Sequence, residues 1–154
     1  MRRSVTVLVV MAASLLLLMG AAPAAAAASP IGSWVRKSEK GKPAMTLIID
    51  EWSPGKCKLI WRMTASKMLM TLVSAADGSF APLLIDGKPS GETMSIKLVD
   101  QRHAAGTAKM NGKSFGTSKM TFSEDFKTMT VENDYTESVG GNPAGRSTEV
   151  WIRQ

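Results

Sequence analysis

The chain has 154 residues, 44% hydrophobic and 21% charged, with a formal net charge of +6. That length allows one domain, or one domain plus an appendage. A single cysteine excludes an internal disulfide framework. One histidine beside one cysteine excludes the zinc sites built from several such ligands, and the modest charge with apolar residues spread throughout excludes global disorder.

Residues 1–28 read as a signal peptide. Arg2 and Arg3 give the positive start, Val5 to Met19 an apolar run broken by Thr6 and Ser14, and Ala21 to Ala28 a small-residue tract with several A-x-A cleavage options. The apolar run falls short of the roughly 20 residues of a membrane span, which argues against an uncleaved anchor. No cysteine follows it, so a lipoprotein cleavage site is absent. Processing leaves residues 29–154 as one exported domain, destined for the periplasm or the medium, with no stable membrane span. Without Arg2 and Arg3 the net charge is about +4. The basic residues are scattered, with a single local cluster at Lys37, Lys40 and Lys42, so no nucleic-acid partner is expected. Cys57 has no partner for an internal bridge. It reads as a small buried apolar residue, with an intermolecular bridge as the sharper alternative.

From residue 30 onward the apolar pattern alternates with period two, the signature of strands with one buried face. Met45, Leu47 and Ile49 share a parity, as do Cys57, Leu59, Trp61 and Met63. Met94, Ile96 and Leu98 form a third set, Met120 and Phe122 a fourth, and Met129, Val131 and Tyr135 a fifth. Around Met68, Met70 and Leu72 the parity is ambiguous, because Leu69 and Val73 lie on the other face. Ser53-Pro54-Gly55-Lys56 fits a type II turn, and Asp77-Gly78, Asp86-Gly87 and Asn111-Gly112 read as hairpin turns. Residues 123–127 read as a longer turn, and 140–145 as a glycine-rich loop.

The expected strands are 32–38, 44–51, 57–64, 67–75, 80–85, 92–99, 103–110, 114–123, 127–136 and 146–153. Turns every ten to thirteen residues with short connections favour an all-β, antiparallel up-and-down meander. Eight to ten such strands avoid exposed edges by closing into a barrel, which is preferred here to a sandwich.

Gly32-Ser33-Trp34 at the head of the first strand resembles the G-x-W signature of lipocalins. The resemblance implies a Trp34 that closes one barrel end and an Arg153 that packs over its indole, a cation on an aromatic face. Asp86-Gly87-Lys88-Pro89, Met94 to Asp100, Lys127 to Val131 and the terminal Trp151-Ile152-Arg153-Gln154 are similar to small secreted bacterial lipocalin-like (calycin-type) domains. The Arg-x-Tyr pattern of fatty-acid-binding proteins is missing after Arg153, so no carboxylate clamp is implied.

Catalysis finds little support. His103 is the lone imidazole, no nucleophile stands at a recognisable spacing, and no metalloprotease, nucleophile-elbow or phosphate-loop motif occurs. Acidic pairs such as Glu132 and Asp134 read as solubilising surface, with a weak cation contact as the alternative. Methionine is the unusual feature. Met45, Met63, Met68, Met70, Met94, Met110, Met120 and Met129 fall after the signal, nearly all on strand faces. They serve either as flexible core or as adaptable walls of a ligand cavity.

The expected function is non-catalytic binding of a small apolar or amphipathic molecule, lipids included, without a cofactor. Trp61, Met63, Met68, Met70, Met94, Ile96, Met120, Phe122 and Met129 are the expected cavity residues. An interaction or protease-inhibitor role with a filled core, using Ser29-Pro30-Ile31 as an inserting tail, comes second. Cu(I) or Ag(I) binding by the Met68-Leu69-Met70 thioethers comes third.

Overall fold

In the computed structural model, residues 28–37, 44–138 and 143–154 are described. The signal peptide up to residue 27, most of the basic cluster and the first half of the glycine-rich loop lie outside those residues. The described chain forms ten strands: β1 Gly32–Arg36, β2 Met45–Ser53, β3 Lys56–Met63, β4 Leu69–Ser74, β5 Asp77–Ile85, β6 Lys88–Leu98, β7 His103–Met110, β8 Lys113–Phe122, β9 Thr128–Tyr135 and β10 Gly145–Arg153. Each pairs antiparallel with its sequence neighbours, and β1 pairs with both β2 and β10, so the meander closes into a barrel. Closure leaves no strand standing alone at an edge, and the β4–β5 seam is the shortest, paired at Met70–Ile85 and Thr71–Leu84.

The alternating pattern sets the inward face. Leu47, Ile49, Cys57, Leu59 and Leu72 are buried to within 1% of zero exposure, whereas Val73 on the other face of β4 is 55% exposed. The ambiguous strand therefore turns Met70 and Leu72 inward.

Three of the four turn readings match the connections found. Gly55 takes φ +84° in the β2–β3 turn, and the pairs Asp86-Gly87 and Asn111-Gly112 both adopt left-handed conformations in two-residue hairpins. Asp77-Gly78 is a correction. The β4–β5 turn lies one step earlier, with Ala76 at φ 59°, and Asp77 and Gly78 already belong to β5. There the register slips between Asp77 and Phe80, and Asp77 Oδ1 accepts from the Ser79 amide at 2.8 Å. The glycine serves a bulge rather than a turn.

Three further register shifts reset the alternation, one of them in the β5–β6 ladder between Pro82 and Leu84. On β2 the register shifts between Ile49 and Glu51, after which Trp52 packs against the core. On β8 a shift opposite Ala108 and Lys109 leaves Phe115 as the extra residue, and it is buried together with Gly116.

One end of the barrel is filled. Phe122 sits at its centre, with its ring 5.3 Å from those of Trp34 and Trp52 and 5.9 Å from that of Phe126. Such aromatic pairs add about 0.5–1.5 kcal/mol each beyond their burial. Trp34 Nε1 donates to the Pro30 carbonyl at 2.9 Å. The Arg153 guanidinium lies over the Trp34 ring and donates to the Ser29 and Ile31 carbonyls, both at 2.6 Å. Cys57 is fully buried in this half, which leaves its thiol no route to an intermolecular bridge.

Candidate functional site

Among the described residues, the other half of the barrel holds a cavity of about 230 Å³. Position along each strand decides which inward residues line it. Same-face neighbours stand about 6.6 Å apart, so one step of two residues separates cavity from plug. On β3, Trp61 and Met63 border the cavity while Leu59 does not. On β6, Glu92 and Met94 border it while Ile96 does not. On β9, Val131, Asn133 and Tyr135 border it while Met129 does not.

The structure thus places Trp61, Met63, Met68, Met70 and Met94 on the cavity wall, joined by Met45. Ile96, Met120, Phe122 and Met129 are corrected. They point inward but belong to the packed core, and Phe122 and Met129 have no exposed surface. They lie too near the closed end to reach the open space. Met110 is exposed.

The wall is two-sided. From β2 through β4, and on to β6, it is built of thioethers and the Trp61 indole, with Met45, Leu47, Leu83 and Met94 completing the arc. From β7 around to β1 it turns polar: Thr107, Ser118, Asn133, Tyr135, Glu149 and Arg36 face the space. Phe115, Ala108 and Trp151 interleave with them. Sequence reasoning set Tyr135 on the inward parity with Met129 and Val131 and missed the rest of this polar arc. Each charged residue of the wall stands on an inward parity beside apolar residues, Arg36 after Trp34, Glu92 before Met94 and Glu149 before Trp151, and that parity was the available signal.

Arg36 and Glu149 form a buried ion pair at 2.9 Å, with their side chains 4% and 7% exposed. The Arg36 guanidinium carbon also lies 6.0 Å from the Trp151 ring centroid. Ser118 Oγ donates to Asn133 Oδ1 at 2.6 Å. Burial, then the neighbouring Glu149 and Glu92 carboxylates, push the Tyr135 phenol up to about 12. Burial raises the Glu92 carboxyl above its ordinary range. Gly116 faces Tyr135 across the β8–β9 ladder, and a β-carbon there would come within 2.6 Å of the ring. The glycine makes room for the phenol.

The solved structure of a point mutant of the fluorescent protein UnaG matches this chain with a TM-score of 0.58, over 80% of this chain and 95% of that one. The barrel is lipocalin-like. At 12% identity the likeness is one of fold. No family profile and no curated protein matches the sequence.

The remaining expected features sit elsewhere. His103 opens β7, with its Nδ1 2.8 Å from Asp100, and does not border the cavity. Glu132 and Asp134 are exposed on β9, and Asp134 meets Arg146 at 3.3 Å. Among the described residues no group of three or more His, Cys, Asp or Glu side chains is placed to hold a metal ion.

Proposed function

We propose that this is an exported binding protein that holds a small apolar or amphipathic molecule in the barrel cavity without transforming it. The observation that carries the reading is the hollow half of the barrel, with five thioethers and two indoles among its lining. At about 230 Å³ the space exceeds the ~150 Å³ of an engineered cavity that accepts benzene and falls below the ~300 Å³ where drug-sized sites begin. The ligand is therefore compact, or it leaves one end protruding from the mouth. Each buried methylene contributes about 0.8 kcal/mol before ordering costs.

The non-catalytic part of the reading rests on the polar arc. Ser118 donates to an amide oxygen, which cannot serve as a general base. Export rests on the sequence of residues 1–28, and a bacterial source on the resemblance of the motifs. An interaction role through Ser29-Pro30-Ile31 would need that segment free. Arg153 and Trp34 instead bind its carbonyls.

Native mass spectrometry of the processed protein, purified gently, tests the proposal. A stoichiometric apolar or amphipathic adduct is expected. A bare protein that also takes up no neutral apolar fluorophore would remove the carrier reading.

A further inference from the structure

The charges that face the cavity do not cancel. Arg36 and Glu149 are committed to each other at 2.9 Å in a nearly dry setting. Glu92 is the other carboxylate on the wall, half-buried on β6 two positions before Met94. Among the described residues its carboxylate has neither an ion-pair partner nor a hydrogen-bond donor, although its own backbone amide donates to Ser90 Oγ at 3.1 Å. Thr107, Ser118, Asn133 and Tyr135 add hydrogen-bonding groups around the space without adding charge at neutral pH. Among the described residues the lining therefore carries one uncompensated negative charge, and across from much of the polar arc stand thioethers and an indole.

That imbalance discriminates between head groups. A carboxylate would bring a second negative charge beside Glu92, where partial burial strengthens repulsion. A neutral hydroxyl would leave the desolvated carboxylate with one weak donor. An ammonium would neutralise it and donate charge-assisted hydrogen bonds. The polarizable wall tolerates such a head, because the Trp61 ring face attracts cations. Resting on the carrier reading above, we propose that the ligand is an amphiphile with a cationic nitrogen head, an organic ammonium, and that Glu92 is the residue that selects it.

The experiment is displacement of the neutral fluorophore N-phenyl-1-naphthylamine by octylammonium, octanol and octanoate at neutral pH, with chain length held constant. Octylammonium is expected to displace the probe at a concentration about tenfold or more below octanoate, the range set by one charged hydrogen bond. Glu92→Gln should erase the advantage of octylammonium over octanol. Glu92→Asp, which keeps the charge, should retain the order, and Glu137→Gln on the exposed surface should change nothing. Melting curves of each variant establish that it is folded. If octanoate competes as well as octylammonium, or the ranking survives Glu92→Gln, the selection by Glu92 is overturned and the carrier reading stands. If neither probe nor competitors bind, both fall.

Discussion

Trp34 and Arg153 face each other across the β1–β10 ladder, the guanidinium carbon 5.7 Å from the indole centroid. The same guanidinium holds two carbonyls of the entering segment, and the indole N–H holds a third. One cross-strand pair thus ties the chain entering the barrel to its last strand. Arg153→Lys keeps the charge but loses the planar fork that reaches both carbonyls. It should cost about 2 kcal/mol in urea unfolding followed by tryptophan fluorescence. Probe uptake should persist, since Arg153 does not border the cavity.

The Arg36–Glu149 pair joins the same two strands farther along, in the cavity wall, Arg36 being the register partner of Trp151. Glu149→Gln leaves a buried guanidinium without that carboxylate and should destabilise by about 3–5 kcal/mol. The double replacement Arg36→Met with Glu149→Leu removes both charges together and should cost markedly less. A thermodynamic cycle over the two single variants and the double variant checks this. Additive losses would mean that the pair is not coupled.

The ten strands were readable because alternation and turn chemistry agree along most of the chain. Asp86-Gly87 and Asn111-Gly112 place hairpins, and the apolar parity names the inner face of β2, β3, β6 and β9. What local pattern cannot give is depth. Met94 and Ile96 look alike in sequence, yet one lines the cavity and the other joins the core. The difference follows from the register of all ten strands around the closed barrel. Bulges hid the rest. A single extra residue on β2 and on β8 turns Trp52 and Phe115 inward against the simple alternation. The polar arc was overlooked because an inward glutamate reads as surface until its neighbours are known to be walls.

Gly116 and Tyr135 are register partners, and a β-carbon at Gly116 would lie 2.6 Å from the ring's Cδ1 and 2.9 Å from its Cε1. Both atoms belong to a ring that cannot bend aside. Gly116→Ala should therefore destabilise by about 1–3 kcal/mol, as overpacked sites do. It should also weaken probe uptake, because the displaced phenol sits at the cavity. Tyr135→Ala in the same background should recover the lost stability in part, measured by the shift in melting temperature.

Burial, and secondarily Glu51, hold the Cys57 thiol at about 12 against an ordinary 9.0. Tyr135 is raised to about 12 from 10.0. Both groups are neutral when protonated, and folding favours that form. Their contribution is fully present below about pH 9 and is lost as pH rises toward 12. Urea midpoints should therefore fall between pH 9 and 12, and Cys57→Ala should fall less steeply over that range. At neutral pH a thiol reagent should leave native Cys57 untouched and label it on unfolding.

Five methionines on one wall can act through shape or through sulfur, and leucine separates the two. Leucine has nearly the volume of methionine, lacks the thioether, and usually costs less than about 1.5 kcal/mol in such exchanges. If the wall recognises apolar surface, Met63→Leu, Met68→Leu and Met70→Leu combined should hold the neutral fluorophore within several-fold of the parent affinity. A soft-ion site would behave differently, because Cu(I) and Ag(I) bind through the sulfur that leucine lacks. Titration of parent and triple variant with Ag(I), read by quenching of tryptophan emission, completes the comparison. The carrier reading expects no stoichiometric quenching in either protein. Stoichiometric quenching of the parent that vanishes in the triple variant, with fluorophore uptake lost from neither, would give the thioether wall a second ligand class.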